Sequence, residues 1–195
     1  MRKKSHISLA KYIVESMQEE ELITHKKAFY IGSILPDCKP SFITTKHEIE
    51  GTFGKVSEDI KHLVEISEDV KLNLRAFFRD LGQIIHYVAD YFTFPHNEHY
   101  DGTLKDHCVY EEHLKKVLRE YIKSGEAEKN KQAARKFETP EEICDFIKHS
   151  HELYMKIKTN VYEDCRHIVT TCCQVVGAVL QFLNIHISDV LLNAA

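Results

Sequence analysis

The sequence predicts an all-α fold, a single helical bundle over residues 1–195. Apolar positions recur at helical spacing almost throughout, and no convincing run of apolar-polar alternation marks a strand. Length supports one domain, because 195 residues can bury a substantial core. No internal repeat or break in composition divides the chain. Hydrophobic residues at 43% and charged residues at 29% describe an ordinary soluble globular protein.

Along the chain, Met1-Arg2-Lys3-Lys4 begins like a signal peptide. Lys11 and Glu15 interrupt the apolar stretch that should follow, and no small-residue cleavage site appears. The expected location is therefore the cytoplasm. Gly32-Ser33-Ile34-Leu35-Pro36 leads into Asp37, which alone would read as a turn residue. In the next long segment Val70, Leu74, Phe77, Phe78, Leu81, Ile85, Val88 and Phe92 form one stripe, beside a strip of Gly82, His86 and Asp90. Gly82 costs helix stability relative to alanine, so it marks a close approach by another backbone or by substrate, or a tight helix crossing. Pro95 ends this helix after the Phe92-Thr93-Phe94 turn and lets His96 swing back from a loop.

A new helix from about Asn97 or Leu104 carries His107 and Glu111. Ser124 to Lys136 is polar without an apolar face and reads as a solvated connection or frayed helix. Thr139-Pro140-Glu141-Glu142 is a helix start, with Thr as cap and Pro at the first helical position. That helix is expected to bury Ile143, Phe146, Ile147, Tyr154 and Ile157. Ile168 to Ile187 has the length of a membrane span but holds Thr170, Thr171, Gln174, Gln181, Asn184 and His186. A bundle helix buried all round explains it better than a transmembrane segment.

A formal charge of −4 provides no overall basic field for nucleic acid or anionic membrane, which weighs against a nuclease. Six cysteines, at 38, 108, 144, 165, 172 and 173, match neither a zinc CxxC set nor a secreted disulfide framework. Cys172 and Cys173 read as small buried hydrophobes, and a reducing compartment is the simplest home.

The chemistry concentrates in Asp37, His47, His86, Asp90, His96, His107 and Glu111. His86/Asp90 and His107/Glu111 lie four residues apart, so each pair shares one helical face. Composition alone would give about two such pairs by chance, and either could be a plain helix-face ion pair. Order and setting carry the signal. Imidazole and carboxylate donors favour zinc over thiolate-seeking or purely oxygen-seeking metals. His25, His62, His99, His113, His149, His151, His167 and His186 are expected to be solvent-facing or structural.

The segments GSILPD at 32–37, His47, HYVADYFTFPHN at 86–97 and HCVYE at 107–111 resemble the zinc-dependent phospholipase C family, whose helical fold is shared with fungal zinc nucleases. The resemblance implies two or three zinc ions. Asp37, His47, His86 and Asp90 would hold one, and Asp90 would bridge to a second that takes His6 and the amine of Met1. His96, His107 and Glu111 would hold a third. Family members supply that amine from an N-terminal Trp, whereas this chain has no Trp and begins with Met1. Glu111 matches the phospholipase branch, where the nucleases use Asp.

The function so implied is hydrolysis of a phosphodiester, with a phospholipid headgroup as the family's kind of substrate. Zinc lowers the pKa of bound water toward ~7, which supplies hydroxide at neutral pH. Asp37 is the candidate for orienting or deprotonating the attacking water. One alternative is a single-strand nuclease, for which Tyr87, Tyr91, Phe92, Phe94 and Tyr100 could stack bases. Another is a non-catalytic helical binding protein that zinc merely stabilises.

Overall fold

The computed structural model describes residues 1–38, 48–67, 72–157 and 160–193. His47 and Val70 lie outside them. Among the described residues every regular element is helical: α1 (Lys3–Met17), α2 (Glu20–Thr24), α3 (Lys26–Gly32), α4 (Ile49–Ile66), α5 (Leu74–Tyr91), α6 (Leu104–Lys123), α7 (Glu126–Lys129), α8 (Pro140–Lys156) and α9 (Val161–Asn193). Short 3-10 turns cover Pro36–Cys38 and Phe94–His96.

α5 is the centre of the bundle. Asn73 caps it by accepting from the Ala76 amide at 3.1 Å. Phe77, Phe78, Leu81, Ile85 and Val88 are buried along one stripe. The helix packs against α3, α4 and α9, and α9 packs in turn against α1, α6 and α8. Phe92 caps the C-terminus of α5, and Pro95 sits in the 3-10 turn that follows, so the chain reverses where the proline requires it.

The next helix begins at Leu104, and a capping box fixes that start. Thr103 and Asp106 exchange side-chain to backbone hydrogen bonds, satisfying donors that would otherwise be orphaned. α8 starts at Pro140 behind Thr139, whose hydroxyl accepts from the Glu142 amide. Ile143, Ile147 and Tyr154 are buried, with Phe146 partly so. Ile157 departs from expectation: it is 39% exposed, because the helix ends at Lys156 and the chain turns extended there.

α9 is long and apolar enough over Val161–Asn184 to cross a membrane by composition. Its apolar side chains are used instead in the core, where Cys165, Ile168, Cys172, Val175, Val176, Val179 and Leu183 are buried. Its polar residues also have a task. Gln174 accepts from the Arg135 amide at 2.9 Å and donates to the Ala133 carbonyl at 2.9 Å, while Gln181 donates to the Phe137 carbonyl at 3.0 Å. The connection after α7 is therefore tied to α9 through three of its backbone groups. None of the six cysteines forms a disulfide.

Gly82 marks a helix crossing. A Cβ there would run into the Phe29 carbonyl oxygen, and that Cβ would lie 2.9 Å from the Ser33 amide nitrogen and 3.0 Å from the Gly32 Cα. Gly32 reciprocates, since its own Cβ would run into the backbone of Arg79 on α5. Only two glycines allow α3 and α5 to touch backbone to backbone. Gly82→Ala is expected to destabilise the fold by about 1–3 kcal/mol of overpacking, which outweighs the ~1 kcal/mol that alanine gains in helix propensity. Thermal unfolding of the variant measures this; an unchanged or raised midpoint would show that the crossing tolerates a methyl group.

Candidate metal centre

Donors converge from three helices and two turns. On α5, His86 and Asp90 are both fully buried, with His86 Nε2 3.4 Å from Asp90 Oδ2. α1 brings in His6, whose ring stacks on His86 with centroids 3.9 Å apart and whose Nε2 lies 3.4 Å from Asp90 Oδ1. Beyond α3, the first 3-10 turn places Asp37 Oδ1 3.6 Å from His86 Nε2. A second group lies beside this one. His96 closes the 3-10 turn after α5, and its Nε2 is 3.4 Å from Glu111 Oε1. His107, one turn before Glu111 on α6, approaches the same oxygen at 3.2 Å.

The ligand atoms of His6, His86 and Asp90 lie within 4.8 Å of one another, and so do those of His96, His107 and Glu111. The Met1 amine sits between the two groups. It contacts Asp90 and lies 3.2 Å from both Glu111 Oε1 and His96 Nε2.

This donor set fits zinc. His86 Nδ1 is 2.9 Å from the Ser33 carbonyl oxygen, which can only accept, so the ring proton sits there and Nε2 turns its lone pair toward Asp37 and Asp90. Burial, and then the neighbouring His6, push the His86 pKa well down and keep the ring in its neutral, ligating form. His6 Nε2 is buried with no hydrogen-bond partner, a cost that a coordinated cation removes. Burial opposes charge on Asp90, but the Met1 ammonium and then His96 outweigh it and hold the carboxyl far below the usual range. Glu111 is lowered too, with hydrogen bonds from His107 and His96 overcoming burial. Burial acts against the Met1 ammonium as well, yet Asp90 and Glu111 raise its pKa. A positive charge thus already stands where both carboxylates call for one.

A cavity of about 970 Å³ opens onto the group, with Met1, Asp37, His96, His107 and Glu111 among its lining residues. His6, His86 and Asp90 are buried. Of the aromatics considered for base stacking, Tyr100 lines the cavity, whereas Tyr91 and Phe92 are fully buried and cannot stack on a base. Of the residues singled out in the sequence, the structure brings together Met1, His6, Asp37, His86, Asp90, His96, His107 and Glu111, while His47 lies outside the described residues.

Several residues that brace the site were not anticipated. Asp164, at the start of α9, is fully buried and accepts from the Phe94 amide at 3.0 Å and from the Tyr110 and Tyr154 hydroxyls at 2.9 Å. It thereby ties the turn that carries His96 to the helix that carries His107 and Glu111. Asn97 donates to the carbonyls of Tyr91 and Thr93, and its Oδ1 meets His151 Nε2 at 2.7 Å. His151 is accordingly structural.

A family profile described as zinc dependent phospholipase C matches residues 5–161. Among curated proteins and among solved structures, none matches the chain.

Burial pushes the Asp164 carboxyl up to about 6, against the pull of its three donors. Folding therefore favours the protonated form. The stability this group supplies is complete below its ordinary 3.8 and declines as pH rises through about 6. In denaturant unfolding, the stability of the native chain relative to Asp164→Asn should fall from about pH 4 to about pH 7, a difference in which the opposite contribution of the lowered His86 cancels. Parallel curves for the two would show that Asp164 does not titrate in that window.

Proposed function

This chain belongs to the zinc-dependent phospholipase C family, and we propose that it hydrolyses a phosphodiester at the two adjoining donor groups. The observation that carries this reading is the open side of the centre: Asp37, His96, His107 and Glu111 line a substrate-sized cavity. A structural zinc site is closed by its protein ligands, whereas a catalytic one keeps a position for water or substrate. That contrast disfavours a purely structural role. With two of the five candidate aromatics buried, the nuclease reading loses support too.

Under this reading His6, His86, Asp90 and Asp37 would hold metal on the buried side of the centre. His96, His107 and Glu111 would hold metal on the side that faces the cavity. Zinc, when bound, supplies an acidified water and Lewis-acid stabilisation of charge building on phosphate. The chain's own contribution is orientation. Ser33 fixes the tautomer and rotation of His86. Asp37 lies on the wall shared by the buried donors and the cavity, so its carboxylate can accept a proton from, and aim, a water approaching phosphorus. The Met1 amine, placed between Asp90 and Glu111, is the remaining neutral donor once its proton is displaced.

Two measurements test this. The purified chain should hold two or three zinc ions and cleave a choline or other headgroup phosphodiester in preference to single-stranded DNA. His86→Ala should lose at least one ion and at least about 100-fold in turnover, since even the partners of ligands are worth about 10–100-fold, while circular dichroism stays helical. Undiminished turnover would remove His86 from the site, and one closed zinc without turnover would support the structural role. Separately, one extra residue ahead of Met1 should lower zinc content if the amine ligates; full occupancy in the extended chain would exclude it.

A further inference from the structure

The cavity carries a charge pattern that metal binding does not require. Arg2, Lys3, Lys4 and Lys115 all line it. Apart from the proposed ligands Asp37 and Glu111, Glu48 is the acidic residue among the described lining residues. Two of the four cations are held in place: Arg2 donates to the Cys108 carbonyl at 3.1 Å and pairs with Glu112 at 2.6 Å, and Lys115 reaches the same Glu112 at 2.6 Å. One carboxylate shared by two cations leaves a surplus. Lys3 and Lys4 are exposed in the first turn of α1 and add to it. The concentration is local, since the whole chain has a formal charge of −4.

A scissile phosphodiester carries one negative charge, and that charge is met at the metals. Four more cations around the mouth favour a substrate that brings further negative charge. A quaternary ammonium headgroup would instead call for an aromatic cage or carboxylates, and this lining offers Tyr100 and Glu48. We propose that the cavity selects phosphodiesters whose headgroup bears its own anionic group, a carboxylate or second phosphate, over those with a choline-type headgroup. Arg2, Lys3, Lys4 and Lys115 are the selecting residues. This selection rests on the phosphodiesterase reading above.

The decisive measurement is binding rather than turnover. The zinc-loaded full chain is titrated calorimetrically with phosphocholine, phosphoglycolate and inorganic phosphate. An exposed ion pair contributes a factor of up to about five, so two or more together give about tenfold. Phosphoglycolate should therefore bind about tenfold tighter than phosphocholine and tighter than inorganic phosphate. The margin should shrink as salt is raised. In Lys3→Glu/Lys4→Glu it should vanish, with zinc content unchanged; acidic residues suit the first turn of a helix, so misfolding does not account for the loss.

Equal or reversed affinities for phosphoglycolate and phosphocholine would overturn the proposal. So would inorganic phosphate binding as tightly as phosphoglycolate, which would mean that the cations merely gather free phosphate. Hydrolysis of soluble diacyl substrates differing only in headgroup reports separately. Cleavage of neither sinks the phosphodiesterase reading, while the titration still decides the selection.

Discussion

A carboxylate as deeply buried as Asp90 must be surrounded by positive charge or by strong donors, or it will take up a proton. His6, His86, His96 and the Met1 amine all lie within reach of it. Groups from two distant parts of the chain, residues 1–6 and 86–96, are thus drawn to one pair of oxygen atoms. The stacking of His6 on His86, the return of the chain after α5 and the inward course of the first residues all serve this concentration. Removing the charge at residue 90 would leave several polar groups in the core without a reason to be there.

α5 reconciles that polar centre with an apolar core. Its phenylalanine and aliphatic stripe packs against α9 and α4, while an adjoining strip presents Gly82, His86 and Asp90 toward α3 and α1. Gly82 and Gly32 bring the two backbones together, and the chain just past α3 then offers the Ser33 carbonyl to His86 Nδ1. Packing and the orientation of His86 are two results of one crossing: the close approach of α3 to α5 also brings the Ser33 carbonyl to the imidazole.

Local pattern made much of this legible. His86 and Asp90 on one face, the stop at Pro95 and the start behind Thr139 follow from spacing within a turn or two, and the structure has each of them. The bracing residues were out of reach for a physical reason. Asp164 meets Phe94 across 70 positions and Ser33 meets His86 across 53, and no periodicity encodes such partners. Burial of Ile157 failed because the last turn of a helix cannot be placed from its apolar repeat alone. Tyr91 and Phe92 looked available for ligand contact because aromatic character does not reveal which face a ring takes. The cationic lining depends on the first turn of α1 meeting α6, another distant pairing.

The glutamines of α9 have an effect that reaches past the bundle. They hold the stretch between α7 and α8 by its main-chain amide and carbonyl groups at Ala133, Arg135 and Phe137. A strap gripped in this way needs few particular side chains to keep its course, the buried Phe137 and a residue other than proline at 135 excepted. Its exposed positions can therefore vary in charge and texture with the main-chain grip unchanged.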